Sequence, residues 1–182
     1  MHAWGHLVAG RDDGPLRVLA AEVDDRSEGG RYEAAARARD RLATLAAGVD
    51  RGTTLAALAG IDELVGARPD GRGGWELAVL RHGRLAAAGT APRGVRPMPV
   101  VEALRAGAQT VLPGDGPLRG APSEEVRILH RWLTSGGTRL VHCDPPWAEP
   151  AWGGGAWRTW AERAREASHR TGDRSPDEPA GV

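Results

Sequence analysis

The chain has 182 residues, enough for one domain with a sizeable core or for a helical segment joined to a small α+β domain. Its 24 basic residues, all arginine, balance 24 acidic ones, so the strongly basic footprint of a nucleic-acid-binding protein is missing, although a local arginine stripe would fit. The lone Cys143 excludes an intramolecular disulfide and a cysteine-rich zinc site. Without a long apolar segment or a signal pattern, the sequence predicts a soluble, cytoplasmic protein.

The first part of the chain, residues 1–67, is predicted to be helical throughout. Residues 1–9 have the apolar spacing of a short helix, and Pro15 marks the start of a second helix that ends at a glycine pair. Because the connection after Gly30 is short, the helix of residues 31–47 is expected to run back antiparallel to the second. These two helices would form a hairpin.

Two glycines, Gly48 and Gly52, are expected to interrupt the helical pattern after this hairpin. A further helix is predicted to begin at Thr53 or Thr54, because either residue would cap it. Its apolar residues recur at helical spacing: Leu55, Leu58, Ile61, Leu64 and Val65.

Residues 68–148 are predicted to form a small α+β domain. Turn residues at 69–74 precede a strand at 75–80, and His82-Gly83 suits a hairpin turn into a second strand. Helices are predicted at about 100–112 and from Pro122, followed by a third strand at 138–143. The expected fold is therefore α+β: a helical hairpin region, then a domain with a β-hairpin, two helices and a third strand.

Residues 149–182 are predicted to be a separate extension rich in tryptophan and glycine. A short helix at about 156–168 would place Trp157 and Trp160 on one stripe, with Arg158 beside them. Residues 171–182 have the composition of a disordered tail.

The helix after Gly30 carries an ordered pattern of residue types: an aromatic residue and a glutamate, a pair of alanines, an Arg-Asp pair and an aliphatic residue. These positions are Tyr32, Glu33, Ala35, Ala36, Arg39, Asp40 and Leu42. The pattern resembles the UVR motif, a short helical hairpin of the excision-repair subunits UvrB and UvrC. In that family the hairpin mediates contact between the two subunits. The resemblance therefore implies a protein partner for these seven residues.

The resemblance extends over residues 1–147. Successive blocks, among them DGRGGWELAV from Asp70, MPVVEAL from Met98 and TVLPG from Thr110, are similar in order to the C-terminal part of actinobacterial fusion nucleases. Those proteins carry a DEDDh exonuclease domain, a UvrC-type GIY-YIG endonuclease domain, a UVR segment and a small C-terminal domain. The Asp-x-Glu block and the GIY-YIG block of the family are missing from this sequence. The resemblance thus implies a nuclease context without the catalytic domains, as in a truncated or split nuclease.

An independent active site is not indicated by the remaining residues. His142, Cys143 and Asp144 are adjacent on a predicted strand, where neighbouring side chains point to opposite faces and cannot converge. His2 and His6 have helical spacing for a metal but lack a third ligand. We therefore expect no catalytic residues, no metal and no cofactor.

The predicted function is that of a non-catalytic accessory or protein-interaction module associated with a DNA-repair nuclease. Its partner would bind the UVR-like hairpin. The alternative is a DNA-binding accessory domain, in which Trp157, Arg158 and Trp160 contact single strands by stacking and by charge. The balanced net charge argues against this alternative, and a salt-dependent affinity for single strands would argue for it.

Overall fold

The computed structural model describes residues 2–9, 12–149, 157–160 and 162–163. Its elements are α1 His2–Val8, α2 Gly14–Glu28, α3 Tyr32–Ala59, β1 Glu63–Pro69, β2 Trp75–Arg81, β3 Arg84–Ala91, α4 Pro97–Gly107, α5 Ser123–Leu133 and β4 Arg139–Asp144. This order confirms the predicted α+β class, with a helix pair followed by a sheet and its helices. The chain divides into two compact units, Thr54–Glu149 and the described residues of Met1–Thr53 with Pro150–Val182. The predicted tail at 171–182 lies outside the described residues.

The helical unit is built on α2 and α3, which form the predicted hairpin. Alanine and leucine form a buried stripe on α3, whereas α2 contributes the buried Leu16 and the partly buried Leu19 and Ala20. The buried core of this unit comprises Leu7, Leu16, Leu42, Ala46 and Val49. In the described residues of the chain, no helix has the length and apolar character needed to cross a membrane.

The expected interruption at Gly48 and Gly52 is wrong, because α3 runs without a break from Tyr32 to Ala59. A glycine inside a helix costs about 1 kcal/mol relative to alanine, which is a weak signal that packing can override. A β-carbon at Gly52 would lie only 3.0 Å from Cγ2 of Val8. The glycine therefore permits close approach of α1. Thr53, expected to cap a new helix, is instead buried within α3.

The sheet has four strands rather than the three predicted, in the order β3-β2-β1-β4, with every neighbouring pair antiparallel. The additional strand is β1. The sequence pattern predicts most of it as the end of the last helix in an all-helical region of residues 1–67, and this prediction is wrong. Its residues do not alternate between apolar and polar, because both faces of the sheet are covered. Their spacing continues the helical pattern of α3 by coincidence.

Each face of the sheet has its own core. On one face α5 covers residues such as Leu64 and Leu80, and Val126 and Leu129 of the helix pack against them. On the other face α4 covers Val65, Leu77 and Val79. Alternate residues of β1 and β2 thus enter different cores.

The local turn predictions are confirmed. His82 and Gly83 have φ angles of 49° and 74°, which are the positive values that a two-residue hairpin turn needs to match the strand twist. In the turn that joins β1 to β2, Oδ1 of Asp70 accepts hydrogen bonds from the backbone nitrogens of Arg72 and Gly74, at 2.7 and 2.8 Å. These bonds hold the pKa of Asp70 below its usual value.

Helix α5 and strand β4 lie where the sequence placed them, whereas α4 begins and ends earlier than the predicted 100–112. The earlier start uses Pro97, since the first turn of a helix needs no amide hydrogen there. The earlier end has a tertiary cause. The guanidinium of Arg81 donates to the carbonyls of Arg105, Ala108 and Gln109 at 3.1–3.2 Å and so caps the helix from another strand.

Glu63, at the start of β1, joins this cap to the sheet. Its Oε2 accepts from Arg81 Nη2 at 2.7 Å and its Oε1 from Arg105 Nε at 2.7 Å. Desolvation raises the pKa of Glu63, but the hydrogen bonds and charges of the two arginines outweigh it, so the pKa lies below the ordinary 4.5. His142 of β4 lies at the edge of this cluster, with Nε2 3.3 Å from Arg105 Nη2.

We expect Glu63→Gln to lower the free energy of unfolding of this unit by about 1–2 kcal/mol at neutral pH, because three charge-assisted hydrogen bonds weaken, two from Arg81 and one from Arg105. A lowered carboxyl pKa stabilises the folded state above the unfolded pKa, and this stability is lost as the pH falls through the folded pKa. The variant should therefore lose less stability than wild type on acidification below 4.5, as urea unfolding at neutral and acid pH would show. Glu102→Gln, on exposed α4 surface, is the control; equal losses in both variants would contradict the expectation.

Candidate partner-binding surface

The connection between α2 and α3 fixes the geometry of the hairpin. The backbone nitrogen of Gly30 bonds to the carbonyl of Ser27 at 3.1 Å, and that of Arg31 to the carbonyl of Arg26 at 2.9 Å. This is the Schellman pattern of a helix end, which requires the positive φ of 69° found at Gly30. The glycine pair therefore ends α2 and turns the chain back, as expected from the sequence.

The structure separates the UVR-like residues by burial. Ala35 and Leu42 are buried inside the helical unit, Leu42 completely, and so hold the hairpin together. Tyr32, Glu33 and Asp40 are exposed on α3. The remaining two, Ala36 and Arg39, are half-buried. The motif thus contains both packing residues and residues that a partner can reach.

The exposed surface of the α2–α3 hairpin carries both acidic and basic side chains, which form ion pairs with one another. Arg31 Nη2 lies 3.0 Å from Asp25 Oδ2 and Arg39 Nη2 lies 3.3 Å from Asp40 Oδ1. Arg37 Nη1 and Glu33 Oε2 are 3.8 Å apart. Such exposed pairs contribute about 0–1 kcal/mol each to stability, so a partner can rearrange them at little cost.

Near these charged side chains lies an aromatic residue, Tyr32, that is not part of the buried core. Tyr32, in the first turn of α3, has 73% of its surface exposed. Tyrosine combines a large apolar ring with a polar hydroxyl, which makes it one of the residue types enriched at protein interfaces. The hairpin therefore offers one aromatic anchor within a mixed-charge surface.

The C-terminal residues that the alternative hypothesis assigns to nucleic-acid contact belong to the same helical unit. Trp157 and Trp160 pack on its core, with their ring centroids 6.0 Å apart in an edge-to-face arrangement. Nε1 of Trp157 donates to Asp13 Oδ2 at 3.4 Å, and Arg158 Nη2 lies 2.9 Å from Asp50 Oδ1. Stacking of bases on these rings would require some of these contacts to break.

The other residues considered for chemistry do not converge. Cys143 packs toward the α5 face of the sheet and its Sγ donates to the carbonyl of Pro145 at 3.3 Å, whereas His142 meets Arg105 of α4 on the opposite face. The expected divergence of these strand neighbours is thus observed. Residues 5–9, 12–149, 157–160 and 162–163, whose side chains are described, contain no group of three His, Cys, Asp or Glu that could hold a metal ion. The side chain of His2 lies outside these ranges.

An apolar groove runs between α5 and the β2–β3 hairpin. It has a volume of about 480 Å³, and Leu85, Ile128 and Trp132 are among its lining residues. The titratable residue in its wall is Glu76, whose Oε2 is held by Arg68 Nη2 at 2.6 Å. This carboxylate is engaged in an ion pair rather than directed at a substrate.

Comparison with known proteins identifies a relative in Mycobacterium tuberculosis (strain CDC 1551 / Oshkosh) that carries the provisional name of bifunctional exonuclease/endonuclease protein. The two sequences are 48% identical over 166 residues, which cover 88% of this chain and 26% of the relative. No protein-family model and no solved structure matches the chain. The chain therefore spans about a quarter of the curated relative and is homologous to one part of this larger protein.

Proposed function

We propose that this chain is a non-catalytic accessory module of a DNA-repair nuclease and that it binds a protein partner through the α2–α3 hairpin. The observation that carries the proposal is the 48% identity to one part of a much longer protein named as an exonuclease/endonuclease. The Asp-x-Glu and GIY-YIG blocks that the resemblance associates with catalysis are missing from the sequence. In this proposal the catalytic residues lie in other parts of such a nuclease, and this module positions them.

The hairpin suits a binding role because its buried and exposed residues are divided between two tasks. Leu42 of α3 packs in one core with Leu16 of α2 and so fixes the two helices against each other, and little conformational entropy would be lost when a partner docks. Tyr32 then supplies the apolar anchor, and Glu33, Arg39 and Asp40 supply charges that set the orientation of the partner. The proposed partner is a second UVR-type hairpin, as in a UvrB protein.

The proposal is tested by titrating the full chain into an actinobacterial UvrB protein and measuring the affinity by calorimetry. We expect Tyr32→Ala with Arg39→Glu to weaken binding at least about tenfold, since truncation of an interface anchor costs ~1–2 kcal/mol or more. The matched control is Val18→Ala with Arg51→Glu, which truncates an exposed side chain of α2 and reverses an exposed arginine of α3, neither of them among the UVR-like residues. The control should bind like wild type.

Circular dichroism and thermal unfolding are used to check that both double variants remain folded. The proposed hairpin surface is refuted if the Tyr32 and Arg39 variant keeps wild-type affinity, or if the control loses as much as the test variant. Absence of any measurable binding to UvrB by the wild-type chain would refute the proposed partner.

A further inference from the structure

The two ends of the four-stranded sheet differ in charge. At the end where β1 and β3 finish and β2 and β4 begin, two acidic residues, Asp70 and Glu76, lie among several arginines. These arginines are Arg68, Arg72, Arg93, Arg96, Arg131 and Arg139. At the opposite end acidic residues prevail: Asp62, Glu63, Glu124, Glu125 and Asp144 accompany Arg81, Arg84, Arg105 and Arg127. We call the first of these the arginine end.

The arginines of the opposite end are all paired. Arg81 and Arg105 each lie 2.7 Å from a Glu63 oxygen, Arg84 lies 3.7 Å from Glu125, and Arg127 lies 2.6 Å from Glu124. Their positive charge is thus neutralised within the fold. This opposite end, which we call the acidic end, therefore has no surplus of positive charge.

At the arginine end only one arginine has an acidic partner in the described part of the chain: Arg68, whose Nη2 lies 2.6 Å from Glu76. The second acid, Asp70, is engaged by the backbone amides of Arg72 and Gly74. Among the described residues, no carboxylate oxygen lies within 4.0 Å of a guanidinium nitrogen of the other arginines of this end: Arg72, Arg93, Arg96, Arg131 and Arg139. A neutral chain therefore presents a local surplus of positive charge at one end of a sheet.

Two tryptophans lie at the same end, one on each face of the sheet. The guanidinium carbon of Arg68 lies 5.3 Å from the ring centroid of Trp132, and that of Arg139 lies 5.3 Å from the ring centroid of Trp75. Both rings are half-buried. Planar guanidinium and indole groups are the surfaces on which nucleic-acid bases stack. Charge and stacking groups thus coincide at the arginine end.

We propose that the arginine end binds single-stranded DNA. The unpaired arginines Arg72, Arg93 and Arg131 would contact phosphates, and the two arginine–tryptophan stacks would receive unpaired bases. Arginine and tryptophan planes stack on DNA and RNA bases alike, so the choice of DNA rests on the proposed association with a DNA-repair nuclease. An acidic protein segment would satisfy the charge but would leave the stacking groups without a role. This surface lies wholly in the unit Thr54–Glu149 and so goes beyond the proposed hairpin contact.

The test is fluorescence anisotropy of the full chain with a labelled oligothymidylate of about 20 nucleotides, longer than the ~4–16 nucleotides that comparable sites occupy. The logarithm of the association constant should fall with the logarithm of salt concentration with a slope of about −2 to −3, because about three or four phosphate contacts each contribute ~0.7. Arg72→Gln with Arg93→Gln should weaken binding about tenfold or more and make the slope shallower by about 1.4.

The matched control is Arg84→Gln with Arg127→Gln, which removes the same charge from the acidic end of the same unit. It should change the affinity less than twofold. Equal weakening by the two double variants would mean that binding follows net charge alone and would overturn the site. No binding to the oligonucleotide at about 50 mM salt would also overturn it.

Three further ligands decide the nature of the partner. The DNA duplex and an abasic strand of the same length should each bind more weakly than the oligothymidylate, and oligouridylate should bind no more tightly than it. If the duplex or the abasic strand binds equally well, if oligouridylate binds more tightly, or if polyglutamate competes as effectively as unlabelled DNA, the proposal of single-stranded DNA is wrong. The Tyr32 and Arg39 variant should bind DNA like wild type, so failure of the hairpin proposal and failure of this one are distinguishable.

Discussion

Leu42→Ala is expected to lower the free energy of unfolding of the helical unit by about 2–5 kcal/mol, the usual cost of removing a fully buried leucine. The side chain of Leu42 has no exposed surface and packs in the core with Leu7, Leu16 and Val49. Truncation would remove apolar contacts and leave a cavity where α2 and α3 face each other. Few single substitutions in this unit should cost more.

Urea unfolding followed by circular dichroism measures this loss, and hydrogen exchange of the α3 amides assigns it to the helical unit. Tyr32→Ala is the control, since Tyr32 is 73% exposed and its removal should change stability by about 0.5 kcal/mol or less. The two variants separate the roles within the UVR-like motif: the first should destabilise the helical unit, and the second should weaken only partner binding. Wild-type stability in Leu42→Ala would contradict the buried position of this residue.

The elements that sequence reasoning predicted correctly have local causes. His82-Gly83 specifies a hairpin turn by itself, and the glycine pair before Arg31 ends α2 by its own backbone preference. Helix α5 has a clear apolar face in Val126, Leu129 and Leu133 and acidic residues in its first turn. None of these features depends on residues far away in the chain.

The errors arise where distant residues decide. Strand β1 is buried on both faces, so it lacks the alternation that marks a strand, and only its pairing with β2 and β4 shows what it is. The end of α4 is set by Arg81, which belongs to another element. The continuity of α3 through Gly52 depends on the approach of Val8. Single-segment patterns contain no information on such contacts.

The arginine end was missed for the same reason. Arg68, Arg93 and Arg139 are far apart in sequence and lie at the same end of the sheet because β1, β3 and β4 are strands of one sheet. Because the sequence pattern predicts β1 as helix, the predicted sheet lacks the strand that lies between β4 and the β2–β3 hairpin. A signal was nevertheless present, since each of these arginines lies at or next to one end of a strand. The residues of the UVR-like hairpin, in contrast, occupy one helix and could be read from order and spacing.

The position where β1 meets α5 gives the second large prediction: Gly66→Ala should lower the free energy of unfolding of the sheet-containing unit by about 2–3 kcal/mol, in the upper part of the range for overpacked cores. A β-carbon at Gly66 would lie 2.7 Å from Cζ3 of Trp132 and 2.9 Å from Cδ2 of Leu133. Trp132 is a rigid ring under the guanidinium of Arg68, and Leu133 is buried. Neither can yield without moving the helix.

Gly107→Ala, in the same unit, is the control of identical chemistry. No atom lies within 4 Å of a β-carbon at Gly107, which ends α4, so the substitution should be neutral or stabilise the unit by up to about 1 kcal/mol. Urea unfolding of both variants measures the difference, and equal effects would contradict the close packing at Gly66. Because Trp132 belongs to the arginine end, displacement of α5 in Gly66→Ala should also weaken binding of the oligothymidylate, whereas Gly107→Ala should leave it unchanged.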